Sequence, residues 1–295
     1  GDRPLNQITP AEIQKLYAHL KKRGRVRKHK KYGYQLSDSM VHCIHTLLHG
    51  AMGAAAQLRL IPRNPVADVT APKQKPPPKQ ILNDEQLDTF MAAIQADDIW
   101  HDFFYTELTT GLRLGEICGL RWEDFDAEHG VLNIQRTVHV EKGGVLTTGD
   151  TKTYAGTRKI VLPASTVQCL RERKEAALTD WIFPNPLKPE LPVNPRAAYS
   201  RLKVLLKDTG LPSIRFHDLR HTFSTHALSS GVDAKTLSGI LGHSRASFTL
   251  DTYTHVTGDM QKRASEVVVD FLTELLGEEL KPWQSAENGA AAASI

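Results

Sequence analysis

Residues 215–231 have the sequence RFHDLRHTFSTHALSSG, and this stretch decides how the whole chain is interpreted. Its apolar side chains recur every three or four positions, a spacing that predicts a helix with one buried face. The same helix carries Arg215, His217, Arg220, His221 and His226. Cationic groups beside a buried face cost desolvation energy unless a partner neutralises them. We therefore expect an anion to bind against this helix, while His221 and His226 are interpreted as structural.

A second cationic residue, Arg113, follows Gly111 in the segment TTGLRLGEICGLRW. Alone, it is interpreted as an ion-pair partner of Glu116. Together with Arg220 it forms a candidate clamp, because two guanidinium groups match the oxygen atoms of one phosphate in charge and geometry. The histidines at 217 and 221 could instead bind zinc, but no acidic third ligand accompanies them and Arg220 adds positive charge. We therefore predict no metal.

The composition is that of an ordinary globular protein with room for two domains. The chain has 295 residues, 40% of them hydrophobic, and 37 Lys and Arg against 33 Asp and Glu give a net charge of +4. This balance is only a weak indicator of nucleic-acid binding. Cys43, Cys118 and Cys169 are odd in number and lie outside metal-ligand spacings, which argues against a disulfide framework. A reducing, cytoplasmic location is therefore expected, and no apolar run approaches the length of a membrane span, so we expect no membrane contact.

Residues 1–71 are predicted to form a small all-helical domain. Thr9, Pro10 and Glu12 indicate a helix start with a capping box, and a second helical period runs from Met40 to Leu58. Between them, positions 21–31 hold eight Lys or Arg and no acid, followed by two tyrosines. We favour phosphate contact over a merely solvated loop. The predicted contacts are Lys21, Lys22, Arg23, Arg25, Arg27, Lys28, Lys30 and Lys31.

A basic, proline-rich linker at 72–80 separates this domain from a second one, predicted at 81–280. Its lysines are further candidate phosphate contacts: Lys73, Lys75 and Lys79. A capping box at Asn83 and Gln86 begins the second domain. Helical periods continue to Gly111, and the period then changes to that of a short antiparallel sheet between 131 and 162.

The rest of the second domain is again predicted to be mainly helical. A proline-rich loop is expected at 184–195, and a short helix from Asp233 to Leu241 is closed by Gly242. The tail at 281–295 is low in complexity and predicted to be disordered. The expected fold class is mainly α with a small antiparallel β-sheet.

The last motif is LGHSRASFTLDTYTHV, in which Tyr253 follows His243 by ten residues. A single tyrosine is ordinarily a packing residue. The order of Arg113, Lys152, HDLR at 217–220, LGH ending at His243 and then Tyr253 resembles the tyrosine recombinases of the phage integrase family. The segments TKTYAGTRKIVLP and SFTLDTYTHV are similar to integrases of conjugative transposons.

This resemblance implies an all-helical core-binding domain and a mixed α+β catalytic domain that form a C-shaped clamp on DNA. It also implies a site-specific recombinase that integrates and excises a mobile element. Members of the conjugative-transposon type usually carry a further N-terminal domain that binds arm-type DNA sites. This domain is absent from the sequence, so we expect a truncated chain.

The resemblance also implies a role for each site residue. Tyr253 would attack the scissile phosphate and form a 3′-phosphotyrosine, which releases a 5′-hydroxyl. Arg113 and Arg220 would hold the nonbridging oxygens, so that no cofactor is needed. Lys152 would protonate the leaving 5′-oxygen from a hairpin turn.

Two histidines and one acid complete the predicted site. His217 would accept the tyrosine proton or orient the phosphate, and His243 would hydrogen-bond a nonbridging oxygen. Glu116 resembles the acidic residue that supports the site in this family.

The expected partners are double-stranded DNA, in association with the nucleoid, and further copies of the chain, from dimer to tetramer. The segment that begins at Val267 is predicted to pack on a neighbouring protomer or back on its own domain. Three alternatives remain: a type IB topoisomerase, a catalytically silent DNA-binding regulator, and a metal phosphohydrolase using His217 and Asp218.

Overall fold

The computed structural model describes residues 3–73, 80–150 and 157–242. The chain divides into two compact units, Gly1–Pro78 and Lys79–Ile295. Several predicted residues and segments lie outside the described ranges: Lys75, Lys79, Lys152, His243, Tyr253, the apolar segment from Val267 and the tail at 281–295.

The described residues of the first unit contain two α-helices, α1 (Pro10–Arg23) and α2 (Asp38–Gln57), after a 3-10 turn at Leu5–Gln7. The start of α1 is the capping box predicted from Thr9 and Glu12. Ser37 caps α2 by accepting a hydrogen bond from the Met40 backbone N–H. Seven buried residues form the core of this unit: Ile13, Tyr17, Val41, Met52, Ala55, Ile61 and Val66.

One detail of α2 differs from the sequence-based expectation. The predicted apolar period began at Met40 and ended at Leu58, but these two side chains are half or more exposed, and Leu47 is 70% exposed. Val41 and Met52 lie in the core instead. The helix has apolar residues on two faces, so periodicity alone did not identify the buried one.

The second unit begins with three helices and continues into short strands. Its helices are α3 (Asp84–Gln95), α4 (His101–Thr110), α5 (Leu114–Cys118), α6 (Ala164–Glu175), α7 (Pro195–Asp208), α8 (Phe216–Ser229) and α9 (Ala234–Leu241). Its strands are β1 (Phe125–Asp126), β2 (Val131–Ile134), β3 (Arg136–Val140), β4 (Leu146–Asp150), β5 (Arg158–Val161), β6 (Pro184–Asn185) and β7 (Lys188–Pro192). This mainly helical composition with small antiparallel sheets confirms the predicted fold class.

The strands form separate small sheets and not the single sheet predicted at 131–162. β1, β2 and β5 make a three-stranded antiparallel sheet, whereas β3 and β4 form a hairpin of their own. A glycine pair turns that hairpin, with φ of +89° at Gly143 and +88° at Gly144. The loop predicted at 184–195 was wrong in part, because β6 and β7 pair there as a third antiparallel ribbon.

Two glycine turns place the functional segments. Gly111 ends α4 in the left-handed conformation, and a Cβ built there would lie 2.4 Å from the Phe223 ring of α8. Glycine is therefore required for the close approach of α4 and α8. Gly242 ends α9 in the same conformation, as the sequence predicted. Of the helices in the described part of the chain, none has the length and hydropathy that crossing a membrane demands.

Candidate active site

A buried carboxylate, Glu116, lies at the centre of the candidate site. It occupies the first turn of α5 and is 3% exposed. Arg113 donates to Glu116 Oε1 from Nη1 at 2.6 Å, and Arg158 donates to Oε2 from Nη2 at 2.9 Å. Burial alone would raise the pKa of Glu116, but the hydrogen bond and charge of Arg158, with those of Arg113, hold it below its ordinary value. Glu116 is therefore an anion that fixes two guanidinium groups.

Three arginines from different elements meet the end of α9. Arg158 donates from Nε to the Ile240 carbonyl oxygen at 2.6 Å, and Arg220 donates from Nη2 to that of Leu241 at 2.6 Å. Arg113 donates from Nη2 to the Gly242 carbonyl oxygen at 3.0 Å. The last carbonyls of a helix lack partners within it and carry partial negative charge. Three successive carbonyls thus gather three cations directly before position 243.

Arg113 and Arg220 differ in how far they reach solvent. Arg220 is 1% exposed and also donates from Nη1 to the Gly111 carbonyl oxygen at 2.8 Å. Burial and the neighbouring charge of Arg113 lower the pKa of Arg220 to about 10, so it stays cationic at neutral pH. The Arg113 side chain is 41% exposed. Arg220 therefore forms the fixed floor of the cluster, and Arg113 forms its accessible edge.

His217 lies in the first turn of α8, beside these arginines. It is exposed, and its ring stands 4.6 Å from that of His221 in an edge-to-face arrangement. Removal of part of its hydration and the positive charge of Arg220 lower the pKa of His217 below its ordinary value. A neutral imidazole at physiological pH can accept a proton.

A second buried acid, Glu107, has a pKa shifted in the opposite direction to that of Glu116. It is fully buried on α4, and neither carboxyl oxygen has a hydrogen-bond partner. Burial raises the pKa of Glu107 well above its ordinary value, despite the opposing charge of Arg220. Burial therefore favours the neutral form of Glu107, whereas the arginines favour the ionised form of Glu116.

Not every cation of the opening stretch belongs to this cluster. Arg215 binds Asp218 through Nε at 3.0 Å and Nη2 at 2.7 Å, which neutralises it. His226 pairs with the Leu82 carbonyl oxygen at 3.0 Å, in keeping with its predicted structural role. Arg158 is a site residue that the sequence did not indicate, because its pattern predicts only a strand. The alternation of residues in a strand gives no indication that Arg158 contacts Glu116, which lies 42 positions earlier in the chain.

The basic segment at 21–31 lies in the first unit, partly in α1 and not wholly in a loop. Its first three cations form the last turn of α1. Lys21 pairs with Asp38 at 2.7 Å, and Arg25 donates from Nε to the Gln35 carbonyl oxygen at 2.7 Å. Among the described residues, no other member of the segment has an acidic partner. Seven of its eight cations are exposed, all but Arg25, as is Lys73 in the linker.

The model of the phage integrase family matches residues 80–259, more than half of the chain. The protein belongs to the phage integrase family. This confirms the resemblance drawn from the motifs. A tyrosine recombinase XerC-like protein of Caldanaerobacter subterraneus subsp. tengcongensis is 30% identical over 65% of this chain. The match spans 54% of that relative, so the chain corresponds to about half of its length.

Two solved structures share the fold of this chain. The integrase of transposon Tn1549, in complex with a circular intermediate DNA, has a TM-score of 0.74 at 24% identity. The match covers 90% of this chain and 87% of that one. A lambda integrase tetramer bound to a Holliday junction has a TM-score of 0.58 at 21% identity, over 83% of this chain and 67% of that one.

The structure thus brings together four of the predicted site residues: Arg113, Glu116, His217 and Arg220. Lys152, His243 and Tyr253 are outside the described residues, and their roles stay predictions. Gly242, which directly precedes His243 in the sequence, contacts Arg113.

Proposed function

We propose that this protein is a site-specific DNA recombinase that cleaves and rejoins DNA strands through a 3′-phosphotyrosine on Tyr253. The observation that supports this most is the binding of three arginines to three successive carbonyls at the C-terminal end of α9, those of Ile240, Leu241 and the capping Gly242. Fixed positive charge of this kind stabilises a transition state that gains negative charge on phosphate oxygens. The substrate would be double-stranded DNA at the ends of a mobile element such as a conjugative transposon.

The reaction uses each group in a separate role. Tyr253 attacks phosphorus and loses its proton to His217, and the bond from phosphorus to the 5′-oxygen breaks while Lys152 supplies a proton to that oxygen. Arg113 and Arg220 bind the nonbridging oxygens, together with His243. A phosphodiester carries one negative charge and its pentacovalent transition state two, so cations against the nonbridging oxygens favour the transition state. Reversal of the same steps rejoins the strand without an external energy source.

The exposed cations of the basic segment and of the linker would contact DNA phosphates. We propose that the two units engage one duplex, in the C-shaped clamp expected for the family. The Tn1549 integrase was solved with a circular intermediate DNA and lambda integrase as a tetramer on a Holliday junction. By analogy, dimers and tetramers of this chain would assemble on DNA, with the segment from Val267 packing on a neighbour.

The test uses a duplex selected from a random-sequence pool for binding to the protein. The duplex is prepared with an ordinary scissile phosphate or with a neutral methylphosphonate there. Arg113→Ala should lose cleavage of the phosphate and recover part of it on the methylphosphonate, because the charge that Arg113 neutralises is gone. Arg196→Ala, at an exposed arginine of α7, is the matched control and should cleave both as the wild type does.

Equal loss on both substrates would contradict the proposed role of Arg113. Bound DNA with no cleavage by any variant would favour the silent regulator. A supercoiled plasmid separates the enzyme classes, because a type IB topoisomerase relaxes it without joining two duplexes. Cleavage that disappears in EDTA would favour the metal phosphohydrolase.

A further inference from the structure

Three potential metal ligands converge away from the arginine cluster. His101 and Asp102 begin α4, and Cys169 lies on α6. Their ligand atoms all lie within 4.8 Å of one another. His101 Nδ1 is 2.8 Å from Asp102 Oδ1, and Cys169 Sγ donates to the same oxygen at 3.3 Å. Each of the three residues is half-buried.

We propose that His101, Asp102 and Cys169 form a binding site for Zn²⁺. Imidazole nitrogen, thiolate sulfur and carboxylate oxygen are the three ligand types that zinc takes in proteins. Cysteine and histidine together favour zinc over magnesium or calcium, which prefer oxygen ligands. No sequence spacing indicates this set, because 67 positions separate Asp102 from Cys169.

The separations fit a tetrahedral ion after a small expansion. Bonds to zinc of about 2.3 Å from sulfur and about 2.0–2.2 Å from nitrogen and oxygen place tetrahedral ligand atoms about 3.4–3.6 Å apart. The nitrogen and oxygen of His101 and Asp102, 2.8 Å apart, must therefore separate by about 0.6 Å, and the oxygen and sulfur of Asp102 and Cys169, 3.3 Å apart, by about 0.3 Å. A ring nitrogen of His101 and Cys169 Sγ lie within 4.8 Å of each other. The hydrogens that now join these atoms would leave when the ion takes their place.

Groups around the three ligands hold them in position. Arg173 donates from Nη1 to Asp102 Oδ2 at 2.9 Å, which leaves Oδ1 directed at the other two ligands. Arg173 is itself fixed by the Ile182 carbonyl oxygen at 2.6 Å. The His101 ring stacks on Tyr105 at 5.7 Å with 17° between planes. Such outer contacts orient ligands in known metal sites.

Charge and access are also compatible with an ion. The Cys169 thiolate and the Asp102 carboxylate together balance the charge of a divalent cation. The positive charge of Arg173 weakens the attraction of these ligands for the cation but does not reverse it. A cavity of about 510 Å³ borders Asp102 and Cys169 and is also lined by Glu172. The cavity offers a path to the site and room for a water as the fourth ligand. A bound ion would join α4 to α6 and would not take part in the strand transfer.

The test uses Co²⁺ as a spectroscopic substitute for Zn²⁺, added to purified protein from which metals were removed by chelation. We expect one bound ion, a near-ultraviolet thiolate band, visible bands typical of tetrahedral cobalt, and displacement by Zn²⁺. The thiolate band distinguishes this site from binding by the three histidines of α2 alone, His42, His45 and His49, and Cys43→Ser tests whether the adjacent Cys43 supplies the sulfur.

Three variants make the assignment specific. Cys169→Ser should remove the thiolate band, and His101→Gln should weaken binding at least about tenfold. Cys43→Ser, at an exposed cysteine of the first unit, should bind as the wild type does. Circular dichroism without metal confirms that each variant folds. Absence of the thiolate band from folded wild-type protein, or its persistence in Cys169→Ser, would overturn the proposal. Strand cleavage in EDTA tests the recombinase function separately.

Discussion

Replacement of Glu107 by glutamine should change how folding stability depends on pH. The native state holds a proton on Glu107 because the carboxyl group is fully buried without a partner. The unfolded state releases that proton above the ordinary pKa of 4.5. Where the native state binds one proton more, stability falls as pH rises, by about 1.4 kcal/mol per pH unit. This loss continues until the raised pKa of the folded state is reached.

Glutamine does not titrate, so the pH-dependent contribution of this side chain to folding stability is absent from Glu107→Gln. From pH 5.5 upward, the free energy of unfolding of the variant minus that of the wild type should rise, by up to about 1.4 kcal/mol per pH unit, until the pH passes the raised pKa of Glu107. The charged neighbours of Glu107 are Arg220 of α8 and Glu116 of α5, with the Cys118 thiol nearby. These groups are present in both proteins, so their own titrations largely cancel in the difference.

The assay is urea unfolding at pH 5.5, 6.5 and 7.5, followed by tryptophan fluorescence. All tryptophans of the chain belong to the second unit, so the signal reports the unit that contains Glu107. Glu85→Gln, at an exposed glutamate of α3, is the matched control and should give a difference that is constant with pH. A constant difference for Glu107→Gln would refute the reasoning, since it would mean that Glu107 is ionised in the folded protein.

Three further predictions concern the site and the DNA contacts. Glu116→Ala should destabilise the second unit by about 3–5 kcal/mol in urea unfolding, because it leaves paired arginines without their anion; an unchanged midpoint would contradict this. His217→Gln should slow cleavage at neutral pH and remove an acidic limb of the wild-type pH–rate profile, in which activity falls as pH drops through the lowered pKa of His217. If the variant keeps that limb, another group accepts the proton. Simultaneous replacement of Arg27, Lys28 and Lys30 by glutamine should reduce the slope of log affinity against log salt by about 2.7, measured by fluorescence anisotropy; an unchanged slope would exclude phosphate contact by these residues.

Sequence reasoning succeeded where the structure depends on neighbours along the chain. The capping boxes at Thr9 and Asn83 were predicted because a cap and its partner lie three residues apart. The left-handed end of α9 at Gly242 follows from the need for glycine at positive φ. The family motifs likewise identified Arg113 and Arg220 before their contacts were known.

Features that depend on distant parts of the chain could not be predicted in this way. Arg158 reaches Glu116 and Ile240 only because the three-stranded sheet sets β5 beside α5 and α9. The proton on Glu107 depends on complete burial, which no local pattern reveals. Met40 and Leu58 have the apolar character of core residues, yet the short N-terminal unit leaves them exposed.

The central claim is that Tyr253 becomes covalently joined to a DNA 3′-phosphate. The most direct measurement is mass spectrometry of peptides from protein trapped on nicked, selected duplex in EDTA. The account predicts a nucleotide adduct on the peptide containing Tyr253, and no adduct with Tyr253→Phe, which should still bind the duplex. An adduct on another residue, or one that persists in Tyr253→Phe, would contradict the account, as would the absence of any adduct on duplex shown to be bound.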